Sequence, residues 1–229
     1  MKNSFTLLEL IFVIVVVGII AVVTLRKTPS DNLDRATIQL VSHLRYTQHL
    51  ALNQDFYSTT DKNWFKRRWK LSFSNGADTN NYWAYSVWAD TAGDATGSPD
   101  PKEIAVNPMN KSKRLTGGFN GNLFIHTNDP RATQELNIGQ AYGILDIKFS
   151  SPCRTGAHSK SIAFDHVGRP LRGALENYIA PYKSSIKTNI LIHKQCQITL
   201  CSVANCDNAS ADEKRIIAIE PETGYAHIL

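Results

Sequence analysis

Glu9 stands inside the run SFTLLELIFVIVVVGIIAVVTL, where nearly every other side chain is apolar. A lone carboxylate at membrane depth costs at least ~2.5 kcal/mol, so such a residue is a functional candidate by default. One reading leaves Glu9 near the lipid headgroups, reaching water from a position one helical turn past Phe5. The other supplies a cation. Cutting the chain between Ser4 and Phe5 creates an α-amino group on Phe5. In a bundle of identical helices that amine can neutralise the Glu9 of a neighbour. A buried pair of this kind sets axial register more than it adds stability.

Four further constellations invite chemistry. The cysteines Cys153, Cys196, Cys201 and Cys206 form no CxxC pair, so the usual zinc and thioredoxin spacings are absent. Two disulfides suit an extracytoplasmic domain; reduced, buried thiols are the alternative. Four cysteines allow three connectivities. A Cys201–Cys206 loop around SVAN closes easily, which leaves Cys153 with Cys196. Lys66, Arg67, Arg68 and Lys70 in KRRWK lie beside Trp64 and Phe65, a mixture suited to gripping single-stranded nucleic acid. Arg169 and Arg172 in GRPLR make a second basic turn. The favoured reading of these cations is a solvated edge strand with a charged outer face. Asp90, Asp94 and Asp100 offer oxygens to calcium, but their spacing matches no EF-hand set and suits a polar loop better. His158, His166 and Cys153 have no spacing that supports a hydrolase site, and no nucleotide or nucleophile motif occurs. The expectation is a protein without catalytic activity, metal or cofactor.

The elements that must position these residues follow from periodicity. The chain has 229 residues, 42% of them hydrophobic, enough for one globular domain plus an appendage. Its 25 Lys+Arg against 20 Asp+Glu give +5, too modest to dictate a nucleic-acid or lipid partner. Residues 5–25 are long enough, at 1.5 Å per residue, to cross the ~30 Å core of a bilayer. They are too long for a secretory signal, and no Ala-x-Ala site follows. Lys2 in front and Arg26 and Lys27 behind do not by themselves orient the segment. Pro29 interrupts the helix and Asp31 can restart it as an N-cap. Leu33, Ala36, Leu40, Val41, Leu44, Ala51 and Leu52 then recur at spacings of three and four, an amphipathic helix. Beyond it, RWKLSFS, YWAYSVWA, NLFIHT, GILDIKFS, SIAFD, NILIHKQCQITL and RIIAIEP read as strands between Gly/Pro-rich turns. In NILIHKQCQITL, Ile190, Ile192, Cys196, Ile198 and Leu200 share a parity and should face inward.

Phe5, Thr6, Leu7, Glu9 and Leu10 resemble the amino terminus of type IV prepilins, the family of pilins and type II secretion pseudopilins. Ser4 stands where that family usually has glycine. The resemblance implies a leader at 1–4, removed by a membrane prepilin peptidase that methylates Phe5. It implies a transmembrane and assembly helix at 5–25, an amphipathic stalk at 26–55 and a periplasmic head at 56–229. A second, looser resemblance covers the whole chain. The stalk ATIQLVSHLRYTQHLAL, with Phe164, Gly168, Thr223 and Gly224, is similar to the H-type minor pseudopilins and FimT-like minor pilins. It implies an α+β fold: a long helix packed on an antiparallel β-sandwich head. It implies inner-membrane anchoring and assembly with other pseudopilins or minor pilins. DNA is a further partner for some relatives, through arginines placed like Arg169 and Arg172. The segment 62–101 is longer than the family pattern and has no assigned role.

Overall fold

The computed structural model describes residues 7–24, 29–91, 97–119, 125–156, 160–184 and 189–229, with only the backbone path given for 19–24, 29 and 30. Ser4, Phe5, Asp94 and His158, and the first half of the NLFIHT segment, lie outside these residues.

Helix α1 runs Leu7–Thr24, 18 residues, about 27 Å at the α-helical rise. Among the described residues no helix is long and apolar enough to cross a membrane. Residues 5, 6 and 25 of the apolar run fall beyond the described helix. Helix α2 runs Pro29–Asn53. Pro29 is the first residue of this helix, a position where its missing N–H costs no intrahelical bond. Asp31 sits within the first turn, where a carboxylate meets the positive end of the helix. Leu33, Ala36, Leu40, Val41, Leu44 and Ala51 are buried, as their spacing requires, but Leu52 is 53% exposed. It lies over the backbone of Gly168 at the rim of the core.

The rest is an α+β body with antiparallel sheets. The strands are β1 (Lys70–Ser74), β2 (Ala84–Trp88), β3 (Asp146–Phe149), β4 (Ser161–Phe164) and β5 (Pro170–Arg172). They continue as β6 (Tyr178–Ala180), β7 (Lys183–Ser184), β8 (Cys196–Cys201), β9 (Lys214–Ile219) and β10 (Ala226–Ile228); a short helix α3 (Ile138–Tyr142) precedes β3. One four-stranded sheet has the order β2-β1-β4-β5, the other β10-β9-β8-β3, and β6 pairs with β7. Leu71, Phe73, Val87, Ile162 and Phe164 from the first sheet share one core with Ile147, Ile198, Leu200, Ile217 and Ile219 from the second. Helix α2 contributes its buried stripe to that same core.

NILIHKQCQITL is not one strand. Leu191 bridges Leu171 of the first sheet, whereas Cys196 pairs with Ile219 of the second, so the chain changes sheets between them. All five same-parity residues are buried, but Ile190 belongs to a satellite cluster with Phe65, Leu171, Leu175 and Tyr178. A second satellite, Trp88, Ile104, Ile125 and Ala132, covers β2. The first sheet is therefore buried on both faces, which explains why β1, β2 and β4 do not alternate with solvent. The outer edge of β2 is also occupied. Val87 N–H donates to Leu115 O, and Ala105 N–H donates to Val87 O. Such cover removes an edge open to foreign strands.

Two disulfides close the second sheet. Cys153–Cys196 joins the turn after β3 to the start of β8 across 43 residues, and Cys201–Cys206 spans 5. In the loop-entropy account these are worth on the order of 4 and 2 kcal/mol respectively. Urea denaturation should rank the variants accordingly, with C153A/C196A losing more stability than C201A/C206A. Equal losses would mean that native contacts, not chain entropy, set the effect.

Candidate functional site: the exposed helix, its junction with the head, and the buried cations

The described side chains of α1 from Leu7 to Val17 are apolar apart from Glu9, and each large one is between 38% and 78% exposed. Val and Ile are stiff in helices and lower helix propensity slightly, so this sequence does not favour a lone helix in water. It suits an apolar solvent or a bundle, where backbone hydrogen bonds must close within the segment. Glu9 lies in the first turn. The helix dipole there offers about 0.3–1 kcal/mol, less than the ~2.5 kcal/mol that burial in lipid costs. A buried Glu9 therefore needs a full cation near it.

The junction between α2 and the sheets is built around Gln48. Its Nε2 donates to Gly168 O at 2.8 Å and to Thr223 O at 2.6 Å. Those two carbonyls lie in the β4–β5 and β9–β10 turns. In the first turn, Asp165 Oδ1 accepts from the N–H groups of Val167 and Arg169. Gly168 has φ +84° and Gly224 φ +65°, the left-handed region that favours glycine. Space is decisive at Gly224, where a Cβ would lie 2.4 Å from Gly168 O and 3.0 Å from the Phe164 ring. Phe164, Gly168, Thr223 and Gly224 thus converge on one helix side chain, although 60 residues of sequence separate the two turns' ends. Arg45 extends the seam: its Nε donates to Ala226 O at 3.0 Å and its guanidinium lies 4.9 Å over Tyr225.

Arg68 and Lys70 do not stand on a solvated edge strand, and this corrects that reading for KRRWK. Strand β1 is central, flanked by β2 and β4, and its outer face is covered. Arg68 is 4% exposed and Lys70 is 2% exposed. Arg68 Nη1 donates to Pro181 O at 2.6 Å, and its guanidinium lies 4.9 Å from the Tyr182 ring centre and 5.6 Å from that of Trp64. Arg67 pairs with Asp61. Arg169 binds buried Asp165 at 2.8 Å and the Tyr182 hydroxyl at 2.9 Å. Arg172 donates to Asn189 O. Only Lys66 is half-buried without a role in these contacts. Trp64 and Tyr182 beside the cations are intramolecular partners of Arg68 and Arg169.

For Lys70, named above only as a candidate contact to nucleic acid, the structure shows a buried role that sequence reasoning missed. Its Nζ lies 3.6 Å from the centre of the Trp88 ring and 3.9 Å from Glu176 Oε2. The β1–β2 register places Lys70 opposite Trp88, so only knowledge of the turn length gives the pair away. Burial pushes the ammonium down to about 8, opposed by the charges of Glu176, Asp90 and Glu103. Asp90 is thus buried beside a lysine, not offered to a loop cation, and among the described residues no group of three His, Cys, Asp or Glu side chains can hold a metal. Cys153 is disulfide-bonded, so it supplies no thiol to His166, which is exposed. A second unpredicted network lies under α2: the Tyr85 hydroxyl meets His43 Nδ1 at 2.7 Å and Gln39 Nε2 at 2.9 Å. Burial holds His43 down near 4, so it is neutral at ordinary pH.

Two outcomes follow. Gly224→Ala should destabilise the head by more than about 1 kcal/mol, since both backbone conformation and space oppose a Cβ; thermal unfolding reads this, and an unchanged Tm would refute the packing. For Lys70, the native state binds fewer protons than the unfolded chain between pH 8 and 10.5. Its burial penalty is complete below pH 8 and fades as pH rises to 10.5. Wild type should gain roughly 3 kcal/mol relative to Lys70→Met across that window, from a shift of about two and a half units. Parallel pH profiles of the two proteins would mean that Lys70 is not buried as a cation.

No protein-family profile, no curated protein and no solved structure matches this chain.

Proposed function

We propose that the chain is a pilin-like subunit, a minor pseudopilin or minor pilin of a type II secretion or type IV pilus-type fibre. Prepilin peptidase cuts between Ser4 and Phe5 and methylates Phe5. Residues 5–25 hold the protein in the inner membrane with the head in the periplasm. Helix α1 then packs against the helices of sister subunits, and the amine of one Phe5 neutralises the Glu9 of another. The work is assembly, not catalysis.

The observation that carries this reading is α1 itself: an apolar helix with exposed side chains and a single carboxylate in its first turn. A helix that is apolar all round needs lipid or other helices around it. The two disulfides accord with an oxidising compartment such as the periplasm. Capture of DNA has less behind it, because Arg67, Arg68, Lys70, Arg169 and Arg172 are all engaged within the molecule.

Glu9→Leu should leave membrane insertion intact and lower incorporation into the fibre at least tenfold, the equivalent of about 1.4 kcal/mol. Fractionation reads the first quantity, and crosslinking of assembled subunits the second. A mutant that assembles at the wild-type level removes the amine–carboxylate pairing. Mass spectrometry of the native amino terminus is the companion measurement: methylated Phe5 is expected, and a functional chain retaining Met1 defeats the proposal.

A further inference from the structure

Between β2 and α3 the chain makes a small braced hairpin outside the first sheet. Ile104 bridges Trp88 and Val106 bridges Arg114, so the hairpin grows from the covered edge of β2. Its turn is tied by Asn107 N–H to Lys113 O at 2.9 Å and by Lys113 N–H to Asn110 O at 2.9 Å. Two side chains lock the apex: Asn107 Oδ1 accepts from Met109 N–H, and Asn110 Oδ1 accepts from the Ser112 hydroxyl. Met109 projects from this rigid turn at 92% exposure. Preorganisation of that kind lowers the ordering cost of binding.

At the base of the hairpin lies an open cleft of about 480 Å³, lined by Asp100, Pro101, Lys102, Arg114 and Arg131. Arg114 N–H donates to Arg131 O at 2.7 Å, which sets the two arginines side by side. Arg114 spends one guanidinium nitrogen on Ile104 O. Arg131 is held in a fork by Asp129, and that carboxylate keeps its charge more readily than usual because of this hydrogen bond. Lys111 and Lys113 flank the apex above. Against these five cations the described segment has Asp100, Glu103 and Asp129, of which Glu103 is buried and Asp129 is occupied. Asp129 offsets Arg131 in that fork, and the formal charges of the eight groups still leave an excess of two cations.

We infer that this face docks an acidic segment of a partner protein, with carboxylates in the Lys102–Arg114–Arg131 cleft and an apolar side chain against Met109. Guanidinium groups match carboxylates in planar forks. Nucleic acid fits less well: no aromatic side chain lines the cleft, so bases have nothing to stack on. The surface is built from residues of the head and makes no use of α1, so it stands or falls separately from the assembly reading.

The test uses the full chain in detergent and a fluorescein-labelled peptide of alternating Glu and Leu. Anisotropy should show salt-sensitive binding, weakened about fivefold or more by Arg131→Glu and by Lys102→Glu. Met109→Ser should weaken it at high salt as well as low, and Glu9→Leu should leave it unchanged. Both charge reversals lie at exposed positions; if either variant melts early, Lys111→Glu takes its place. No measurable binding at low salt overturns the inference. So does equal binding by the variants, or a single-stranded oligonucleotide that binds more tightly than the peptide and is weakened by the same substitutions.

Discussion

The buried stripe of α2 is the contact on which the architecture rests. Strands of the two sheets pair only within their own sheet, so no backbone ladder joins one to the other. Leu33, Leu40 and Leu44, each 1% exposed or less, sit in the core that both sheets share. Full burial of a leucine is worth about 1.5–3 kcal/mol, so these three side chains alone supply a stabilisation comparable to a marginal domain's net stability. The polar contacts around them are fewer but directional. Gln48 clamps two turns, Arg45 reaches β10 and Arg215 reaches back to Asp34 on α2. Apolar burial holds the helix on the sheets, and these bonds choose its angle and axial position.

Toward the amino terminus the chain changes character: the described side chains of α1 from Leu7 to Val17 are apolar apart from Glu9. Within the head, some apolar residues such as Met109 are exposed, but those of the core are covered by loops, satellites and a second sheet. Along α1 the large side chains from Leu7 to Val17 are not. The contrast between the two halves carries the functional argument, because exposed surface of that kind is stable only when lipid or protein takes the place of water.

Charge is treated unevenly in the head. Lys70 and Arg68 are buried, although desolvation of an ionic group costs several kcal/mol before pairing. Both are placed against aromatic rings, and both have polar partners. The same chemistry appears outside at the 104–114 hairpin without the cover, where lysines and arginines face solvent around a cleft. Basic residues adjacent in sequence therefore serve opposite ends: those at 66–70 help close a satellite core, and those at 102–114 remain at the surface.

The local patterns were readable from residue order. The α2 stripe, the apolar run with its glutamate, the strand at Lys70–Ser74 and the easy Cys201–Cys206 loop all follow from spacings of a few residues, because helix and strand periods act over that range. Phe164, Gly168, Thr223 and Gly224 were marked only by a resemblance, and their meeting beside Gln48 was not legible at all, since nothing in five consecutive residues shows that two distant turns touch. The break in NILIHKQCQITL and the burial of Arg68 and Lys70 escaped for one shared reason. A parity pattern states which residues share a face, but whether that face meets water depends on segments far away in sequence. Here Ile104, Ile125 and Ala132 on one side and Leu175, Tyr178 and Ile190 on the other pack against the first sheet from distant parts of the chain. Sequence determined the elements and their inward faces; tertiary packing decided which outward faces were covered, because burial is a property of what arrives from elsewhere in the chain.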